Sequence, residues 1–206
     1  MKKAILLILL ILIVDQVFKI WVKTSMVLGE NHPVFGNWFL IHFTENEGMA
    51  FGMKLGGNFG KLLLSLFRII AVILLGWWLY RITRKKTSNG LIVCISLIIA
   101  GAIGNIIDSA FYGLIFSEST YMQTAVLFPP GGGYAGFLHG RVVDMLYFPI
   151  IETRYPDWFP VWGGEEFVFF RPVFNIADSS ITTGVFILIL FQKRFFRKES
   201  HPVRGS

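Results

Sequence analysis

The stretch Leu91–Ile115, LIVCISLIIAGAIGNIIDSAFYGLI, carries one formal charge, Asp108, seven residues before its end. A spanning helix needs about 20 mostly apolar residues, so this run reads as a membrane crossing. A charge inside such a run is costly and usually functional. At about 1.5 Å per residue, Asp108 lies about 10 Å inside the crossing. Gly101 and Gly104, without side chains, let another helix approach closely.

Three further stretches qualify as crossings: residues 4–22, 58–80 and 172–196, joining 91–115. The composition agrees. Of 206 residues, 54% are hydrophobic and 16% charged, against about a quarter charged in soluble chains. Lys2 and Lys3 before the first run resemble a signal peptide, but no small-residue cleavage site follows and Asp15 and Lys19 interrupt the run. It reads as a retained helix. A single cysteine, Cys94, excludes a disulfide framework.

Four crossings put Lys2, Lys3, Arg81, Arg84, Lys85, Lys86, Lys193, Arg194, Arg197, Lys198 and Arg204 on one side. That side is cytoplasmic by the positive-inside rule, with both termini there. The net charge of +6 is then topology, and nucleic-acid binding is not expected. Two segments, 23–57 and 116–171, remain on the outer side of a single membrane domain. In the first, Trp38–Thr44 reads as a strand, Glu45–Gly48 as a turn and Met49–Met53 as a second short strand. The fold class expected is an all-α membrane protein of four transmembrane helices, with a small β-hairpin or cradle and a long outer loop before the last helix.

Asp15, Asp108 and Asp178 all fall about 9–10 Å from the outer ends of their spans. Three carboxylates from three helices at one depth make a candidate site. Asn105-Ile-Ile-Asp108 and Asn175-Ile-Ala-Asp178 each place an amide three residues before a carboxylate, on one helical face. Asp15 and Lys19 can pair at i, i+4. Asp144, in Gly140-Arg-Val-Val-Asp144, precedes the fourth span and can fold over the same layer. The bland readings are an orienting pair for Asp15–Lys19, helix packing for Asn105–Asp108, and a counter-charge or lipid contact for Arg68. His42 and His139 show no metal-ligand spacing. Ser179 and Ser180 have no partner base at matching depth. A proton-coupled membrane transporter or channel also places carboxylates in spans, but no inverted repeat is visible.

Five blocks in order, Asp15-Gln-Val-Phe-Lys19, Asn46-Glu-Gly-Met-Ala-Phe51, Gly104-Asn-Ile-Ile-Asp108, Gly140-Arg-Val-Val-Asp144 and Phe174-Asn-Ile-Ala-Asp178, resemble those of the lipoprotein signal peptidase (signal peptidase II) family. The resemblance covers all four spans. It implies a bacterial inner-membrane aspartyl endopeptidase that cuts prolipoproteins just before a diacylglyceryl-modified cysteine, its site near the periplasmic face. It implies Asp144 and Asp178 as the catalytic pair. It assigns Asp15, Lys19, Asn46, Gly48, Asn105, Asp108, Arg141 and Asn175 to substrate binding or support of that pair. It further implies no cofactor and no metal, contact with membrane lipid, a monomer, and inhibition by cyclic peptides of the globomycin type. Two departures stand out: Ser109 where the family commonly has arginine, and longer connections on both sides of Asp144. Their added stretches, 116–139 and 155–171, read as an enlarged lid or a contact surface.

Two carboxylates about 5 Å apart repel by roughly 3 kcal/mol at an effective dielectric near 20, or about 2 pKa units. Such a pair shares one proton near neutrality, as aspartic proteases do.

Overall fold

The computed structural model describes residues 1–47, 57–85, 87–149, 151–154, 158, 166–169 and 172–196. Helix α1 spans Lys2–Ser25, α2 Gly57–Thr83 and α3 Asn89–Ile107. The third continues through a π-helical turn, Asp108–Tyr112, into the short α4, Gly113–Ile115. These three helical stretches are long and apolar enough to cross a membrane. After the outer segment come α5, Ile176–Leu190, and α6, Gln192–Phe195.

α3 is the central helix, packing on α1, α2 and α5. Half of its apolar window is buried, against 17% for α1 and 11% for α2, whose remaining faces are left for lipid. The small residues explain the contact: a Cβ on Gly101 would lie 2.1 Å from the Ala177 carbonyl oxygen, and one on Gly104 2.8 Å from Asp15 Oδ2. The expected close approach at these two glycines is therefore present, and its partners are α5 and α1.

The sheet departs from expectation. β1 (Asn31–Phe35) and β2 (Phe39–Asn46) form the hairpin, turning at Gly36, whose φ of +50° suits glycine. Glu45 and Asn46 are thus strand residues rather than a turn. Their partner is β3 (Val142–Tyr147), far away in sequence. The short strand expected over 49–53 lies outside the described residues. β6 (Val173–Phe174) completes an antiparallel sheet of order β1-β2-β3-β6, and β4 (Ile151–Arg154) pairs with β5 (Glu166–Phe169). The fourth apolar run therefore begins as strand at 173–174 and becomes helix only after Asn175. An apolar run alone does not separate the two states.

Between Ile41 and Thr44 the register of β2 slips against β3, His42 and Phe43 together facing Met145. Such a bulge re-aims side chains. Beyond it Asn46 pairs with Val142, which makes Asp144 its diagonal neighbour on the same face. Behind the sheet, Val22, Met26, Phe43, Phe116, Val143 and Met145 form a core joining α1 to the outer segment.

Residues 116–139 are docked, not a free lid. Their backbone bonds run to α1 (Ala125 N to Lys23 O, 3.1 Å), to the chain after it (Leu28 N to Thr120 O, 2.9 Å) and to α4 (Ala135 N to Gly113 O, 2.9 Å). Most of the second added stretch, 155–171, lies outside the described residues.

Candidate active site

Helix α5 begins beneath the sheet, and its first turn needs acceptors for its free N–H groups. Asn175 is the N-cap: its Oδ1 accepts from Asp178 N–H at 2.8 Å. Asp15, reaching across from α1, accepts from Ala177 N–H at 2.8 Å. The helix start is fixed by side chains from two elements, and Asp178 occupies a first-turn position where negative charge suits the helix dipole.

With its oxygen committed to the cap, Asn175 turns its amide nitrogen to Asp144 Oδ1, 2.7 Å away. Asn46 Nδ2 donates to Asp144 Oδ2. Asp178 receives Asn105 Nδ2 at 2.8 Å. Asn175 therefore contacts one carboxyl through its amide and positions the other through its cap. Asp144 is fully buried and Asp178 partly open. Burial pushes the Asp144 carboxyl up to about 8; the charge of Asp178 adds to the rise, against the pull of Lys19 and the two asparagines.

One layer deeper lies an ionic triad. Lys19 Nζ is 3.0 Å from Asp15 Oδ2 and 2.8 Å from Asp108 Oδ2, all three buried. It also donates to Asn105 Oδ1 at 3.0 Å. That bond orients the amide, leaving its NH2 to face Asp178. Asn105 and Asp108, though on one helical face, reach different partners: Asn105 Nδ2 donates to Asp178. Asp108 instead accepts from Lys19, Gln16 Nε2 (3.0 Å) and Val143 N–H (3.3 Å). The π turn starting at Asp108, a feature common at functional sites, accompanies this re-aiming.

Of the ten residues singled out from the sequence, Asp15, Lys19, Asn46, Asn105, Asp108, Asp144, Asn175 and Asp178 form one hydrogen-bonded network. Arg141 stands beside it, 3.4 Å from Glu45 and 3.0 Å from Glu118. Gly48 lies outside the described residues. Arg68 lies on α2, half-buried. Ser109, at the position noted as a departure, is buried and donates to Asn105 O at 3.0 Å.

Sequence reasoning missed Gln16, which contacts both Asp15 (3.1 Å) and Asp108 and accepts from the Tyr112 hydroxyl at 3.1 Å. It missed Lys23, buried at the outer end of α1 against Glu45 and Ser119, with its ammonium 5.0 Å from the Tyr134 ring. The signal for both was available, since each is a polar residue in or beside an apolar span.

The family model for signal peptidase (SPase) II matches residues 7–194. A lipoprotein signal peptidase of Porphyromonas gingivalis is 59% identical over 189 residues, 91% of this chain and 81% of that protein. One from Amoebophilus asiaticus is 38% identical, covering 88% and 74%. Among solved structures, a bacterial membrane enzyme superposes with TM-score 0.62 at 25% identity, covering 98% of this chain and 95% of the other. A second gives 0.60 at 27% identity, covering 93% of each. With a family model spanning nearly the whole chain and relatives this similar, the chain belongs to the signal peptidase II family of lipoprotein-processing aspartic peptidases.

Proposed function

We propose that this chain removes the signal peptide from diacylglyceryl-modified prolipoproteins, hydrolysing the peptide bond just before the lipidated cysteine with Asp144 and Asp178. The observation that carries this reading is that Asn175 donates to the Asp144 carboxyl and caps the helical turn that carries Asp178. Asp144, raised to about 8, holds the shared proton at neutral pH. Asp178, the more open acid, takes a proton from water as that water attacks the scissile carbonyl carbon. Asp144 gives its proton to the carbonyl oxygen. As the C–N bond breaks, the proton on Asp178 passes to the amine leaving with the cysteine, and one hydroxyl of the tetrahedral diol returns its proton to Asp144, leaving the carboxylic acid and the starting state of the pair. General acid–base catalysis of this kind contributes about 10²–10⁴-fold in rate.

Asp15, Lys19 and Asp108 act through the network, since their polar atoms contact protein groups; Asn46, Gly48 and Arg141 are assigned to substrate binding by the family resemblance. In the bilayer, α5 and α6 together make the fourth crossing. Twenty residues from 176 to 195 reach about 30 Å, the thickness of the hydrocarbon core. Both termini are then cytoplasmic in the inner membrane, with the dyad at the outer interface where water is available. The molecule acts as a monomer, and a globomycin-type cyclic peptide competes with substrate. The transporter reading has no support beside this family membership.

The test is to incubate the purified protein with a diacylated prolipoprotein and map the product by mass spectrometry. A single cut directly before the lipidated cysteine is expected. No cut, or one elsewhere, overturns the reading.

A further inference from the structure

Under the sheet, on the α1 side of α5, lies a cavity of about 440 Å³ that the catalytic reading leaves unused. Val17 and Phe18 of α1, Val34 of β1, Ile41 of β2, Leu146 of β3 and Ile176 of α5 line it, among others, and every lining residue is apolar. Its size falls in the range of small-molecule ligand sites, about 300–1,000 Å³. Those sites usually carry a few polar groups that fix orientation. This one has none, so it suits an unfunctionalised hydrocarbon.

Its position relates it to the dyad. Leu146 follows Asp144 by two residues, on the same face of β3 and about 7 Å along the strand. Ile176 opens the helix in which Asp178 is third, about 3 Å further along the axis. One roof, the sheet, covers both the carboxyls and the cavity. The outer wall is α1, where Val17 stays 60% exposed on the lipid-facing side, so a chain can enter from the bilayer.

We propose that this cavity is an acyl subsite: it receives one hydrocarbon chain of the lipid on the lipoprotein substrate while the scissile bond lies at Asp144 and Asp178. The inference rests on the peptidase reading. A chain moving from bilayer to cavity gains almost no hydrophobic free energy, because both surroundings are apolar. What the subsite supplies is register. A chain seated between α1 and β3 fixes how far the modified cysteine stands from the carboxyls, and such positioning appears in turnover.

The test uses full-length protein and two synthetic prolipopeptides identical except for acyl chains of sixteen or four carbons. Val17→Trp adds bulk into the cavity from an exposed helix face. The ratio of kcat/KM for the long-chain over the short-chain peptide is expected to fall about tenfold in this variant. Val34→Trp, on the hairpin, provides the same reading if the helix variant does not fold. A third arm gives wild-type protein a phospholipid with a photoreactive acyl chain. Labelling at Val17 or Leu146 that long-chain peptide displaces supports the proposal. A ratio unchanged within twofold in the folded variants, or phospholipid labelling that the peptide does not displace, overturns it while leaving the peptidase reading intact. Absence of cleavage of both peptides by the wild-type protein overturns both.

Discussion

Asp144 sits on β3 with its carboxyl buried and its pKa raised to about 8. An unfolded aspartate titrates near 3.9, so the folded chain holds this proton more tightly than the unfolded chain does. The stability tied to it is complete below about pH 4 and is lost as pH rises through about 8. Asp144→Asn has no such proton to lose. In detergent, its thermal midpoint should gain on that of the wild type between about pH 5 and pH 8; a constant difference would remove burial as the cause. Wild-type kcat should fall across the same upper limit as the acid loses its proton. Asn175→Ala removes a helix cap, which costs about 1 kcal/mol, and with it both the donor to the Asp144 carboxyl and the anchor of the turn that carries Asp178. Its turnover should drop by at least about 10²-fold while the midpoint moves only modestly, and turnover near the wild-type value would count against this positioning role. The carboxylates and Asn175 were legible from depth and spacing. The partner of Asn105 was not, because Lys19 of another helix decides which way its amide points.

Elements carry the site by meeting where their side chains are smallest. α3 reaches α5 at Gly101, where a Cβ would stand 2.1 Å from a backbone oxygen that cannot rotate away. Gly101→Val must therefore separate the helices, and a loss of about 3 kcal/mol or more is expected, at the upper end of overpacking. Denaturation in detergent measures it, and an unchanged midpoint would show that the helices close differently. This contact was readable from the apolar run and its glycines. The hairpin was misread: Glu45-Asn-Glu-Gly48 has turn composition, yet Glu45 and Asn46 are held in a strand by Val143 and Val142, nearly a hundred residues on. Local propensity gives way to such long-range pairing. The start of α5 could have been found from Asn175 and Asp178, since an amide or hydroxyl followed three residues later by an acid marks a helix N-terminus.

For the whole molecule, charge asymmetry and four apolar runs predict an orientation, and five short blocks pointed to the family. Neither could give the docking of 116–139 onto α1 and α4, or the cavity beneath the sheet. Both depend on how surfaces distant in sequence come together. The assembly places a polar network at one end of a helical bundle and roofs it with a sheet, an arrangement that suits the proposed meeting of water and a lipid-borne peptide. The proposed reaction depends on the two carboxyls acting together. The decisive measurement is single-turnover cleavage of a diacylated prolipoprotein by Asp144→Asn and Asp178→Asn, with substrate affinity measured on the same samples. Both variants should bind substrate about as well as the wild type and leave it uncut; cleavage by either at a rate near that of the wild type would show that the pair is not the catalytic group.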